Sequence, residues 1–191
     1  MRYHGVVIAG FGGQGVMLTG KLLTTAAVKE GKNATWLPSY GPEMRGGTAN
    51  CTVVIDEQPV TSPIVDHPTE VIAMNLPSMI RFGEKLMSGG TLFVNSSVID
   101  KKIARDDVKV IEIPANDIAE EVGSLKVANM VLLGAFVELT KAVRLETTEE
   151  TLKEKFSGSS LLEPNLEAIR KGSAFIKKWY NFEKACGGDF S

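Results

Sequence analysis

An apolar run, Val6-Val7-Ile8-Ala9, leads directly into Gly10-Phe11-Gly12-Gly13-Gln14-Gly15 and then into a stretch with Val16, Leu18, Leu22, Leu23, Ala26 and Ala27 at helical spacing. This order reads as a buried strand, a tight glycine turn and a helix over about residues 16–30. Glycine lets a backbone approach a ligand closely, and the free N–H groups and positive dipole end of a helix favour an anion. Gly10, Gly12 and Gly15 also fit the dinucleotide spacing G-x-G-x-x-G. The same turn can serve only to pack helix against strand, so a phosphate-bearing ligand and a structural turn both stand.

Gly31 is a C-terminal cap for that helix, and Ala34–Leu37 reads as a short second strand. Strand, helix and strand together have the length of a right-handed parallel crossover. A dinucleotide site needs an acid at the end of the second strand to hold the ribose hydroxyls. The sequence there is Trp36-Leu37-Pro38-Ser39-Tyr40, with Glu30 in the helix and Glu43 beyond a Gly-Pro turn, which counts against NAD or FAD. A second unusual loop follows, Ser39-Tyr40-Gly41-Pro42-Glu43-Met44-Arg45-Gly46-Gly47. If it and the glycine turn follow adjacent parallel strands, the two meet at the ligand crevice. Arg45 there can clamp a carboxylate or phosphate bidentately, or pair with Glu43 to order the turn.

Thr48 to Asp56 alternates, with Cys51, Val53 and Ile55 on one face, and Asp56-Glu57-Gln58-Pro59 turns into a short strand near Val60, a hairpin at a sheet edge. His67, just before Pro68, is expected to be structural or exposed. The strand–helix rhythm then returns: a strand at Val71–Met74, a helix opened by Pro77 and running to about Met87, and strands at Thr91–Val94 and Val108–Ile113. Three helical stretches come next. Asn116–Val122 is short, and Lys126–Val143 is apolar round much of its circumference and so buried between layers or at a subunit contact. Thr147-x-x-Glu150 reads as a capping box, and Pro164 begins a last helix with Leu166, Ile169, Phe175, Ile176 and Trp179. The expected fold is α/β: a three-layer Rossmann-like sheet, mostly parallel with an antiparallel edge, and a helical C-terminal quarter. It forms one domain over 1–180, with 181–191 a frayed tail.

The formal net charge of −2 leaves no electrostatic footprint for nucleic acid or anionic lipid. No apolar run approaches a membrane span, and residues 1–5 do not resemble a signal peptide, so a cytoplasmic chain is expected. Two cysteines, Cys51 and Cys186, and two histidines, all far apart in sequence, are a poor supply for a metal ion or cluster. No metal ligand and no catalytic residue is assigned.

The motif Gly10-Phe11-Gly12-Gly13-Gln14-Gly15-Val16 and the loop Ser39–Gly47 resemble the two glycine motifs of the gamma subunits of 2-oxoacid:ferredoxin oxidoreductases. The similarity extends to Ala128-Asn129-Met130, Leu133-Gly134-Ala135, and Asn165-x-x-Ala168-Ile169 with Gly172, nearly the whole chain. The resemblance implies a subunit of an enzyme that decarboxylates a 2-oxoacid on thiamine diphosphate. Such an enzyme passes electrons through iron–sulfur clusters to ferredoxin and the acyl group to coenzyme A. It implies that thiamine diphosphate and clusters sit in partner alpha, beta and ferredoxin-like delta subunits, and that this chain contributes to coenzyme A binding and assembly. The residues so implicated are Gly10, Gly12, Gly13, Gln14, Gly15, Tyr40, Gly41, Arg45 and Gly46. Lys21 joins them because single-chain pyruvate enzymes of this kind carry a lysine six residues after a related glycine turn. A purely structural subunit, or the gamma-type component of an indolepyruvate enzyme, is the alternative.

Overall fold

The structure is a computed structural model and describes residues 3–40 and 47–185. Six strands, β1 (His4–Phe11), β2 (Asn33–Tyr40), β3 (Thr48–Asp56), β4 (Glu70–Ala73), β5 (Thr91–Asn95) and β6 (Lys109–Ile113), form one sheet in the order β2-β3-β1-β4-β5-β6. The helices are α1 (Val16–Lys29), α2 (Leu76–Gly83), α3 (Ala115–Glu121), α4 (Ala128–Thr140), α5 (Leu145–Lys155) and α6 (Leu162–Ala185), with a 3₁₀ turn at Leu125–Val127. A mostly parallel α/β sheet with an antiparallel edge and a helical C-terminal region are as the sequence leads one to expect.

The position of β2 is not. It does not lie beside β1, because β3 inserts between them and runs antiparallel to both. The reason is chain length. Residues 41–47 are too few for a parallel crossover, which takes about a dozen or more, so β3 must return antiparallel to β2. Pro38 has no N–H to donate, which suits β2 to the sheet edge, whereas β3 buries Cys51, Val53, Val54 and Ile55 and belongs inside. The hairpin partner of β3 is therefore β2, and no strand forms near Val60. His67 is exposed.

Side chains alternate between two cores. Val6, Ile8, Cys51, Val53, Ile55, Ile72, Phe93, Ile111 and Ile113 face the large layer built by α1 and α3–α6. Val7, Ala9, Val71, Ala73, Leu92 and Val94 face α2 and the loop carrying Ile99. The helix expected over 126–143 is α4 preceded by the 3₁₀ turn, and it is core: every residue from Asn129 to Val137 is buried. It crosses α6 almost backbone to backbone. A Cβ on Gly134 would stand 2.0 Å from the Ile169 carbonyl oxygen, and one on Gly172 would stand 2.0 Å from that of Val131.

Two helix boundaries differ from expectation because distant side chains set them. Thr147 does not cap α5. The helix begins at Leu145, and the Arg144 N–H donates to Glu30 Oε1 at 2.7 Å at the end of α1. Burial pushes the Glu30 carboxyl up, but the Arg144 N–H, Lys32 and Thr147 outweigh it and hold it below its usual value. α2 stops at Gly83 rather than near Met87, where Arg105 Nη1 donates to the carbonyls of Gly83 (3.2 Å), Glu84 (3.4 Å) and Leu86 (2.5 Å).

Candidate functional site

β1 hands the chain to α1 on the large-core face, and β4 hands it to α2 on the opposite face. Adjacent parallel strands whose connections leave in opposite directions open a crevice at their carboxyl ends, where α/β sheets bind ligands. The glycine turn forms one lip of that crevice, and Met74-Asn75 forms the other.

Gln14 ties the lips together. Its Oε1 accepts the Phe11 N–H at 2.6 Å and the Asn75 amide at 3.4 Å, and its Nε2 donates to the Met74 carbonyl at 3.3 Å. Gly10 leaves room for this, since a Cβ there would stand 2.6 Å from Gln14 Oε1. Gly15 has φ 78°, and its Cβ would stand 2.2 Å from Asn129 Nδ2. Gly13 has φ 98° with open space above it, and is the turn glycine past which a ligand can approach. The Gly12 N–H is already bound to the Gly47 carbonyl at 3.0 Å, which joins the first loop to the end of the second.

The two ends of the second loop thus lie at the same edge of the sheet as the first loop, although β1 and β2 are not adjacent. Tyr40 and Gly10 flank the same residue of β3, Ala49, so they stand level, two strand spacings or roughly 10 Å apart. Gly41, Arg45 and Gly46 lie outside the described residues. Lys21 is not brought to the turn: its ammonium lies 4.8 Å from the centre of the Trp36 ring, facing β2.

Behind the turn is a cavity of about 230 Å³ lined by Gly13, Gln14, Asn95, Asn116, Lys126 and Asn129 over an apolar floor of Met74 and Leu132. Asn95 Nδ2 donates to Asn116 Oδ1 at 2.9 Å, and Asn129 Nδ2 reaches the Gly15 carbonyl at 3.4 Å and Thr19 Oγ1 at 3.2 Å. Among the described residues the lining has four carboxamides and one ammonium but no carboxylate, imidazole or thiol. That is a set for binding a polar ligand rather than for moving protons. Cys51 lies beneath the start of α1, donating to the Val16 carbonyl at 3.5 Å, and burial pushes its thiol up to about 12.

The asparagines were not picked out from the sequence as site residues. Their signal was present: Asn75 and Asn95 each stand directly after an apolar strand run, the position from which a side chain faces the crevice. Asn129 and Lys126 had no such local mark.

Residues 5–175 match the family model described as pyruvate ferredoxin/flavodoxin oxidoreductase. The chain belongs to that family. Ketoisovalerate oxidoreductase subunit VorA of Methanothermobacter thermautotrophicus is 37% identical over 175 residues, covering 91% of this chain. The chain spans only 36% of the length of that relative. The gamma subunit of the keto/oxoacid ferredoxin oxidoreductase of Geobacter sulfurreducens superposes with a TM-score of 0.80 at 28% identity, covering 92% of this chain and 99% of its own. The 2-oxoglutarate:ferredoxin oxidoreductase of Magnetococcus marinus, solved with 2-oxoglutarate, coenzyme A and succinyl-CoA bound, superposes with a TM-score of 0.85 at 26% identity, covering 93% of this chain and 32% of that one. In these two neighbours the fold thus occurs once as a nearly whole chain and once as part of a longer one. No helix among the described residues is long and apolar enough to cross a membrane.

Proposed function

We propose that this chain is a single-domain gamma-type subunit of a cytoplasmic 2-oxoacid:ferredoxin oxidoreductase, and that it forms one wall of the coenzyme A site. The observation that carries this is the start of α1. Gly15 provides no side-chain cap to the first turn of α1, at the positive end of the helix, and Gly13 and Gln14 just before it line the cavity, with open space above Gly13. A phosphate suits such a turn, and the related Magnetococcus marinus enzyme, which carries this fold over 32% of its chain, was solved with coenzyme A bound. Tyr40, Gly41, Arg45 and Gly46 belong to the second loop, which joins the first through the Gly12–Gly47 hydrogen bond. The Arg45 guanidinium has the chemistry to pair with a phosphate, and Tyr40 that to donate a hydrogen bond.

The partners are alpha and beta subunits and a ferredoxin-like delta subunit, with ferredoxin as the acceptor. Thiamine diphosphate and iron–sulfur clusters held by those partners supply the decarboxylation and the electron path. This chain's part is to orient coenzyme A so that its thiol meets the acyl group.

Filling the crevice tests this. Ala128 lines the cavity at the start of α4. In the assembled enzyme, Ala128→Leu is expected to raise the KM for coenzyme A several-fold while single-turnover 2-oxoacid decarboxylation stays at its normal rate. Unchanged coenzyme A affinity in an intact complex would leave the chain an assembly subunit only.

A further inference from the structure

Resting on this chain being one subunit of a larger enzyme, we propose that the β6 edge of the sheet docks an extended acidic segment of a partner subunit, which adds to the sheet as a further strand. β6 is the last strand in the order and pairs only with β5 among the described residues. The Lys109 N–H donates to the Gly90 carbonyl at 2.9 Å, and the Ser96 N–H donates to the Ile113 carbonyl at 2.9 Å. In a parallel ladder the residues that bond one neighbour alternate. Lys109, Ile111 and Ile113 therefore turn their backbone groups to β5, and Val110 and Glu112 turn theirs out of the sheet. The other edge is blunted by Pro38 in β2, whereas β6 has no proline and runs in unbroken register.

β6 is also bare on one face. Ile111 and Ile113 are buried in the large layer, but the smaller core under α2 ends at β5: it takes in Leu92 and Val94 and leaves Val110 and Glu112 exposed. The uncovered ground is a groove of about 520 Å³, lined by Met79, Val94 and Val110 and, from the chain between β5 and β6, by Lys101 and Lys102. Trp179 of α6 lines it too, with the Lys109 ammonium 5.1 Å from the centre of its ring. Apolar ground beside outward backbone groups is what strand addition uses. Main-chain bonds give the affinity, and places for alternate side chains give the specificity.

Charge chooses the occupant. Lys29, Lys32, Lys141, Lys171 and Lys177 are in ion pairs, whereas Lys101 and Lys102 are exposed and in none among the described residues. Arg105, which also lines the groove, is spent on Asp107 and the last carbonyls of α2. Against these cations the lining sets a single carboxylate, Glu112. Pairing β6 with the β6 of a second copy would set this basic groove against itself, which like charge opposes. A segment with acidic side chains meets Lys101 and Lys102 favourably, so the same lysines deter a second copy and admit the partner.

The test is amide hydrogen exchange at Val110 and Glu112, in the full chain with synthetic octapeptides and in the assembled complex. A peptide of alternating Val and Glu is expected to slow both amides about tenfold and to leave Ile111, already bonded to β5, unchanged. Salt at about 0.5 M is expected to remove most of that protection, and a peptide of alternating Val and Lys to give none. Lys101→Glu combined with Lys102→Glu is expected to reverse the preference between the two peptides. Val110→Pro, which deletes an N–H that β5 does not use, is expected to abolish the protection of Glu112. In the complex both amides are expected to be slow without any peptide. Equal protection by the two peptides, or by neither, overturns the acidic occupant. Protection that rises with chain concentration alone gives the edge to a second copy and overturns the proposal. Fast exchange in an intact complex overturns the partner subunit as the source, whereas a chain that purifies with no other polypeptide breaks the subunit reading itself.

Discussion

The helices that begin at the carboxyl edge of the sheet are of two kinds. α2 starts under Asn75, whose side chain accepts the Ser78 N–H at 2.9 Å. α3 starts under the end of β5: Asn95 Oδ1 accepts the Ala115 N–H, and Ser97 Oγ accepts those of Asn116 and Asp117. α1 and α4 have no side-chain cap of this kind. They are instead tied to each other by Asn129 and open on the crevice beside Lys126. The capped starts are complete in themselves. The start of α1 leaves N–H groups that water or an anion must satisfy, whereas the Val127 and Ala128 N–H groups ahead of α4 are taken by the 3₁₀ turn, on Ser124 and Leu125.

The contrast can be broken most strongly at Gly15. Gly15→Ala forces an L-residue into φ 78° and drives its Cβ against Asn129, so it is expected to destabilise the chain by about 1–3 kcal/mol in urea titration and to separate α1 from α4. A neutral result would mean that the two uncapped starts are not held by that contact. Removing a true cap should have a smaller effect. Asn75→Ala is expected to lower stability by about 1 kcal/mol, since it leaves the first turn of α2 without its acceptor.

Anions sharpen the comparison from the other side. Inorganic pyrophosphate is expected to raise the melting temperature of the wild-type chain, with a stabilisation of about 0.3–1 kcal/mol. It should do so less in Ala128→Leu, which fills the crevice, and as much in Lys101→Ala, whose side chain lies in a separate groove beside Trp179. The smallest effect is expected at the far end of α2, where Arg105 covers the last carbonyls and is itself held by Asp107. The Arg105 guanidinium, hydrogen-bonded to Asp107, holds that carboxyl down at about 2. A carboxyl with a depressed native value stabilises the fold above its unfolded value, and loses that contribution as pH falls. The difference in melting temperature between wild type and Asp107→Asn should therefore be constant above about pH 5 and vanish between about pH 4 and pH 2.

Much of the fold was legible because its signals are local. The run Val6–Ala9, the glycine turn and the stripe on α1 each depend on residues that are neighbours in the chain, and their boundaries fall within a residue or two of the observed elements. Pro38 was not read as an edge-strand residue, because the expected strand stops at Leu37 whereas β2 runs on to Tyr40. The capping box at Thr147 failed for the opposite reason. Its residue types were right, but Glu30, more than a hundred residues earlier, supplies the acceptor for the Arg144 N–H at the start of α5.

The candidate site divides in the same way. By itself the sequence determined that a glycine turn opens a helix, that no acid follows to hold a ribose, and that few metal-ligating residues are present. These follow from backbone freedom and side-chain chemistry, which neighbours decide. Only the tertiary structure decided that β3 would part β1 from β2, that Lys21 would turn to Trp36, and that Asn129 would cross 114 positions to grip Gly15. The physical reason is that such contacts follow from how the whole chain covers its apolar faces, and no short stretch contains that information.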